Sequence, residues 1–128
     1  MRLLVDTHAL LWAVDNPSRL SAPAAAALRD PTNRLLIGAG TVWEISIKAG
    51  LGKLALSLPF RQWMERAIAD LGLAILPMTV EYADRQATLP HHHRDPFDRF
   101  LVAQALTDAI PIVTADAQLD AYGVVRIW

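Results

Sequence analysis

Four acidic residues stand where α/β proteins build chemistry: Asp6 after Leu3-Leu4-Val5, Glu44 in Thr41-Val42-Trp43-Glu44, Asp98 in Asp95-Pro96-Phe97-Asp98, and Asp116 after Val113-Thr114-Ala115. Each alone has an ordinary explanation. Asp is a favoured helix N-cap, Thr41 with Glu44 has the spacing of a capping box, and Asp95 with Pro96 and Asp98 is an acidic helix start, each contributing about 1 kcal/mol locally. Gathered together, the four would do something else. Two carboxylates about 4 Å apart repel by roughly 4 kcal/mol at an effective dielectric near 20, so such a group needs a cation. Lys48, one turn after Glu44, is a candidate, although the same spacing makes an ordinary pair on a helix surface. A hard divalent ion such as Mg²⁺ answers the need better, because it takes carboxylate oxygens and water and leaves positions for a phosphate. One or two such ions could activate water for in-line attack on that phosphate. The chain has no Cys, and no Ser or His in a nucleophile elbow, which argues against covalent catalysis.

Positioning these acids requires strands that end at them. The run from Met1 to His8 reads as a buried strand tipped by Asp6, and Leu35-Leu36-Ile37, Leu73 to Leu76, Pro111 to Thr114 and Val124 to Ile127 read as four more. Between them lie helical patterns: His8 to Val14, a segment from Ser21 and Pro23 to Asp30, Thr41 to Lys48 ending at Gly50, Phe60 to Leu71 closed by Gly72, Thr79 to Leu89, Phe97 to Asp108, and a short one from Asp116 to Ala121. Gly38 to Gly40 reads as flexible and Leu51 to Pro59 as a loop. Strands alternating with helices specify a parallel sheet covered on both faces, whose ligands sit at the carboxyl ends of the strands. In the order 3-2-1-4-5, strands one and four are neighbours and Asp6 lies beside Asp116, with Glu44 entering from the second-strand side.

Length and composition bound the function. A chain of 128 residues is expected to form one domain, residues 1–128, and to bury roughly two-thirds of its unfolded surface. The apolar fraction of 53% fits a compact core plus a subunit contact. A formal charge of −1 gives no global basic field, so a polyanion must be held by local Lys and Arg or by a metal. The apolar stretches are too short to span a bilayer, Asp6 and His8 interrupt any signal-peptide core, and the lack of Cys fits a cytoplasmic location.

The segments Leu3-Leu4-Val5-Asp6-Thr7-His8, Trp43-Glu44-Ile45 with Lys48 and Gly52-Lys53-Leu54, Leu89-Pro90 with His92-His93-Arg94-Asp95-Pro96-Phe97-Asp98-Arg99, and Val113-Thr114-Ala115-Asp116 together resemble the PIN domain, and most closely the short VapC toxins of bacterial type II toxin–antitoxin systems. The resemblance covers essentially the whole chain. It implies a PIN-like, Rossmann-like α/β fold with a five-stranded parallel sheet in the order 3-2-1-4-5, and Mg²⁺- or Mn²⁺-dependent endoribonuclease activity. The catalytic and metal-binding acids would be Asp6, Glu44, Asp98 and Asp116, all present here. It further implies an RNA substrate, a small VapB-like antitoxin that covers the cleft, and a homodimer.

Other positions carry weaker expectations. Thr7 and Thr114 are candidate water-holding or supporting hydroxyls, with capping as an equal alternative. Asp95 is expected to cap its helix in preference to joining the metal, and Lys48, Lys53, Arg94 and Arg99 are candidate RNA or partner contacts. The triplet His91-His92-His93 reads as solvated or phosphate-contacting loop in preference to a metal tract. Trp12 and Trp43 belong either to the core or to a dimer contact. Two other functions compete with the nuclease: a PIN module that binds RNA or protein without cutting, and an aspartate-based, Mg²⁺-dependent phosphatase or receiver-like domain. The second is disfavoured because His8 stands where such phosphatases need another Asp, and no Lys follows the fourth strand.

Overall fold

The structure, a computed structural model, describes residues 1–128. Its axis is β1 (Arg2–Val5), in which Leu3, Leu4 and Val5 are completely buried. A strand of large aliphatics with no polar face is stable only with sheet on both edges and helices on both faces. β1 pairs in parallel with β2 (Arg34–Gly38) on one side and β4 (Ile112–Val113) on the other; β3 (Ala74–Leu76) and β5 (Arg126–Ile127) complete the edges. The order is β3-β2-β1-β4-β5, as the sequence analysis anticipates.

Side-chain alternation along β1 divides the core. Leu3 and Val5 pack with Leu10, Ile37, Ile45 and Trp63, under the helices α1 (Thr7–Asp15), α2 (Ala22–Arg29), α3 (Ala39–Gly50) and α4 (Phe60–Leu71). Leu4 and Leu36 face the other way, onto Leu101, Val102 and Ile112 and the long helix α6 (Pro96–Asp108), against which α5 (Val80–Ala87) packs. α6 buries seven consecutive residues, Arg99 to Ala105, so it shows no amphipathic stripe. Each fully buried aliphatic or aromatic side chain contributes roughly 1.5–3 kcal/mol.

Most element boundaries fall within two residues of expectation, and Leu51 to Pro59 holds neither helix nor strand. The last two strands are shorter than predicted, and the segment after β4 is a 3₁₀ helix, Ala117–Tyr122. One local reading is overturned. α3 starts at Ala39 with Gly38 as its N-cap, so Thr41 sits inside the first turn and forms no capping box with Glu44. β2 therefore runs into α3 without a loop, which Gly38 permits because any Cβ there would collide with the buried Gln104 side chain of α6. The glycines read as flexible are a fixed junction, and the junction aims Glu44 inward.

Candidate active site

Asp6 is the last residue of β1's backbone ladder, its N–H donating to the Val113 carbonyl of β4 at 3.1 Å. One carboxylate oxygen, Oδ1, accepts the Ala9 N–H at 2.7 Å and caps α1. The other, Oδ2, accepts the Thr114 hydroxyl. Capping and membership of an acidic cluster are therefore not alternatives, since each takes one oxygen. Burial pushes the Asp6 carboxyl up from its usual range and Asp116 adds to the rise, against the hydrogen bonds from Thr114 and Ala9 and the nearby His8.

Thr114 links two of the acids. Completely buried, it donates to Asp6 while its Oγ1 accepts the Asp116 N–H at 3.0 Å. Thr7 does the same service for Glu44, donating to Oε1 at 2.6 Å. The second oxygen of Glu44 takes the Lys48 ammonium at 2.5 Å. With the Glu44 side chain only 5% exposed, this pair is no solvated surface contact. The hydrogen bond to Glu44 raises the Lys48 pKa, with Asp95 and Asp98 contributing.

Asp98, in the first turn of α6, is also strongly perturbed. Its pKa rises to about 7, through burial first and then the charge of Asp95; Glu44 and Asp6 add to it, while His93 acts in the opposite direction. Asp116 caps the 3₁₀ segment through Oδ1, accepting the Gln118 N–H, and turns Oδ2 to His93. His93 Nε2 lies 3.1 Å from Asp116 Oδ2 and 3.3 Å from Asp98 Oδ2, and one ligand atom from each of these three residues falls within 4.8 Å of the others. Asp6, Asp98 and Asp116 line one cleft of about 490 Å³, together with His8, Trp12, Arg19 and Ala115.

Two sequence expectations need correction. Arg99, expected as an RNA or partner contact, is buried instead of standing at the surface. It is 8% exposed and its guanidinium donates to the carbonyls of Pro90, Gln86 and Leu89 and to the Tyr122 hydroxyl, tying the loop before α6 in place. The histidine triplet is not uniform either: His91 and His92 are exposed, but His93 reaches the acids. Its position two residues before the N-cap Asp95 is the signal that singles it out, since the chain must cross the cleft there to start α6. Asp95 caps α6 as expected, accepting from the Phe97 and Asp98 N–H groups. Arg94 and Lys53 are solvent-exposed. Trp12 packs beside Trp128 under the Arg19 guanidinium, whereas Trp43 is 59% exposed, edge-on to Phe97.

The donor set is hard: carboxylate oxygens supported by hydroxyls, with no sulfur. Burial, reinforced by the neighbouring carboxylates, already raises Asp98 to about 7. Such a set suits a small divalent ion that prefers oxygen.

The PIN domain family profile matches residues 3–125 of the chain. Ribonuclease VapC22 of Mycobacterium tuberculosis is 26% identical over 121 residues, spanning 94% of this chain and 91% of that protein. Among solved structures, the VapBC2 complex of Rickettsia felis bound to a promoter DNA fragment superposes with a TM-score of 0.74 at 12% identity, covering 98% of this chain and 97% of its counterpart. FitAcB of Neisseria gonorrhoeae gives 0.64 at 22% identity, covering 97% and 95%.

Proposed function

The chain belongs to the PIN domain family, and from that premise we propose that it is a metal-dependent endoribonuclease, the toxin of a VapBC-type pair, in which Asp6, Glu44, Asp98 and Asp116 hold Mg²⁺ or Mn²⁺. One observation carries this reading. Asp6, Asp98 and Asp116, spread over 110 positions of sequence, line one cleft, and Asp98 is pushed up to about 7 by burial and by the charges of Asp95, Glu44 and Asp6. An isolated helix cap would not be so perturbed.

When bound, a divalent ion supplies the positive field that makes water acidic enough to attack a phosphodiester and steadies the charge growing on the phosphate. The protein's own residues do the rest. Thr114 fixes the rotamer of Asp6 and the backbone of Asp116, and Thr7 does so for Glu44. Lys48 offsets the charge of Glu44. Arg19, 4.6 Å above the Trp12 ring, gives the cleft a cationic, aromatic rim for an RNA backbone and base.

The same proposal includes a small antitoxin and a homodimer in the cytoplasm. Support for the antitoxin comes from the neighbours: VapBC2 and VapBC-1 carry both components in their names, and FitAB was solved on a DNA fragment. No helix of this chain is long and apolar enough to cross a membrane. The deciding experiment is RNA cleavage by purified protein. Cleavage should require Mg²⁺ or Mn²⁺, stop with EDTA, and disappear in Asp6→Asn and Asp116→Asn; cleavage that survives either substitution would sink the assignment.

A further inference from the structure

His93 is the one group at the acids that the proposed reaction does not use. Its side chain is 14% exposed and its ring is fixed on both sides. Its backbone N–H donates to the Tyr122 hydroxyl at 2.9 Å, and Tyr122 is in turn held by Arg99. On the ring, Nδ1 lies 3.1 Å from the Asp95 backbone nitrogen. A backbone amide can only donate, so Nδ1 presents a lone pair and the ring proton sits on Nε2. That N–H donates to Asp116 Oδ2 at 3.1 Å, with Asp98 Oδ2 lying 3.3 Å from the same nitrogen.

A histidine that ligates a metal needs the reverse arrangement, with the distal nitrogen protonated and donating to a carbonyl or carboxylate. Here the Asp95 N–H forbids it. His93 is therefore a donor to the acids and a rival of any cation that would bridge them. The other two acids have donors of their own that leave the Asp98–Asp116 side untouched: Thr7 and Lys48 on Glu44, Thr114 and Ala9 on Asp6.

We propose that His93 is a built-in competitor for the divalent ion: its Nε2–H donates to Asp116 Oδ2 with Asp98 Oδ2 beside it, and an ion bridges these two oxygens only by displacing that hydrogen bond. The inference rests on the metal-dependent reading above. It gives the metal-free protein a satisfied site that does not fly apart, and it weakens the ion's apparent affinity by the equilibrium of the closed contact.

Calorimetric titration of Mn²⁺ into the full chain tests this without reference to cleavage. Wild type should bind, Asp116→Asn should bind more weakly, and His93→Ala should bind about three- to tenfold more tightly, the size of one net hydrogen bond. Equal or weaker binding by His93→Ala, with wild type binding normally, overturns the competitor and leaves the metal site standing. No binding by wild type overturns both. A second measurement needs no substitution: ¹⁵N NMR of the wild-type imidazole should show the Nε2–H tautomer without metal, and Mg²⁺ should shift that proton without removing it. The Nδ1–H tautomer, or loss of the Nε2 proton on adding Mg²⁺, refutes the proposal.

Discussion

Thr114 carries two acids on one hydroxyl, donating to Asp6 and accepting from the Asp116 amide, and its methyl fills a fully buried position. Thr114→Val keeps the shape and deletes both bonds. It should cost about 1–2 kcal/mol of stability and lower Mn²⁺ affinity and RNA cleavage by about 10–100-fold, measured by denaturant titration and calorimetry. Asp98 supports a different test. Its pKa stands at about 7 in the fold against 3.8 for the free side chain, so between these values the folded state holds a proton that the unfolded state has released. Stability from this group is complete below about pH 4, falls as pH rises to about 7, and stays lost above it. The groups facing it are Asp95, Glu44 and Asp6, which add to the penalty, and His93, which relieves it. In EDTA, the stability of wild type relative to Asp98→Asn should therefore decline from pH 5 to pH 8, by on the order of 2–4 kcal/mol. Asp30 and Asp120, both lowered and both at the surface, drive the opposite trend but cancel in that difference. The positions of Asp6, Asp98 and Asp116 were legible in the sequence because each lies at a strand end or helix start, whereas Glu44 sits in the second turn of α3. What sequence could not reveal was which oxygen does what: Asp6 caps α1 through Oδ1 and is held in the cluster through Oδ2 by Thr114, 108 residues away.

At the scale of elements, the strands and helices were readable wherever periodicity and punctuation agreed. α4 shows the buried face of Trp63, Met64 and Ala67 and the left-handed Gly72 at its end. α3 misled because Thr41 and Glu44 mimic a cap, while the true start depends on Gly38 fitting beneath Gln104, a contact between residues 66 positions apart. α6 misled in another way, since a helix buried along Arg99 to Ala105 hides an arginine where solvent exposure would be assumed. Arg99 holds the chain from Gln86 to Pro90 by three carbonyls, and through Tyr122 it steadies His93. Arg99→Met should therefore cost about 3 kcal/mol, and Arg99→Lys should recover little of it, because an ammonium cannot reproduce the planar fork. Chemical denaturation reads the first effect. Hydrogen exchange should show faster opening of residues 89–95; an unfolding curve superimposable on wild type would mean that the guanidinium does nothing structural.

For the whole molecule, the sheet order followed from alternation of strands and helices together with the family resemblance, and order alone makes β1 and β4 neighbours and brings Asp6 to Asp116. The outer surface was less legible, because exposure of an apolar residue depends on every element around it. Trp43 and Met78 are 59% and 58% exposed and share an apolar cavity of about 290 Å³ with Gly40, Pro96, Phe97 and Phe100, while Val80 beyond it is 87% exposed. Water gains by leaving such a patch, and a C₂ pair of chains would cover it twice with one surface. The homodimer proposed above is expected to use this face, between α3 and the start of α5, and a substitution there tests it. Met78→Glu places a charge where an aromatic and two phenylalanines would have to be desolvated around it. In sedimentation experiments, wild type should run at twice the mass of the chain, and Met78→Glu should raise the dimer dissociation constant at least about tenfold, the scale of a central interface residue, with an unchanged far-ultraviolet circular dichroism spectrum. A variant that stays as dimeric as wild type would move the interface elsewhere, and a wild type that sediments as a single chain would leave this patch without a second copy to cover it.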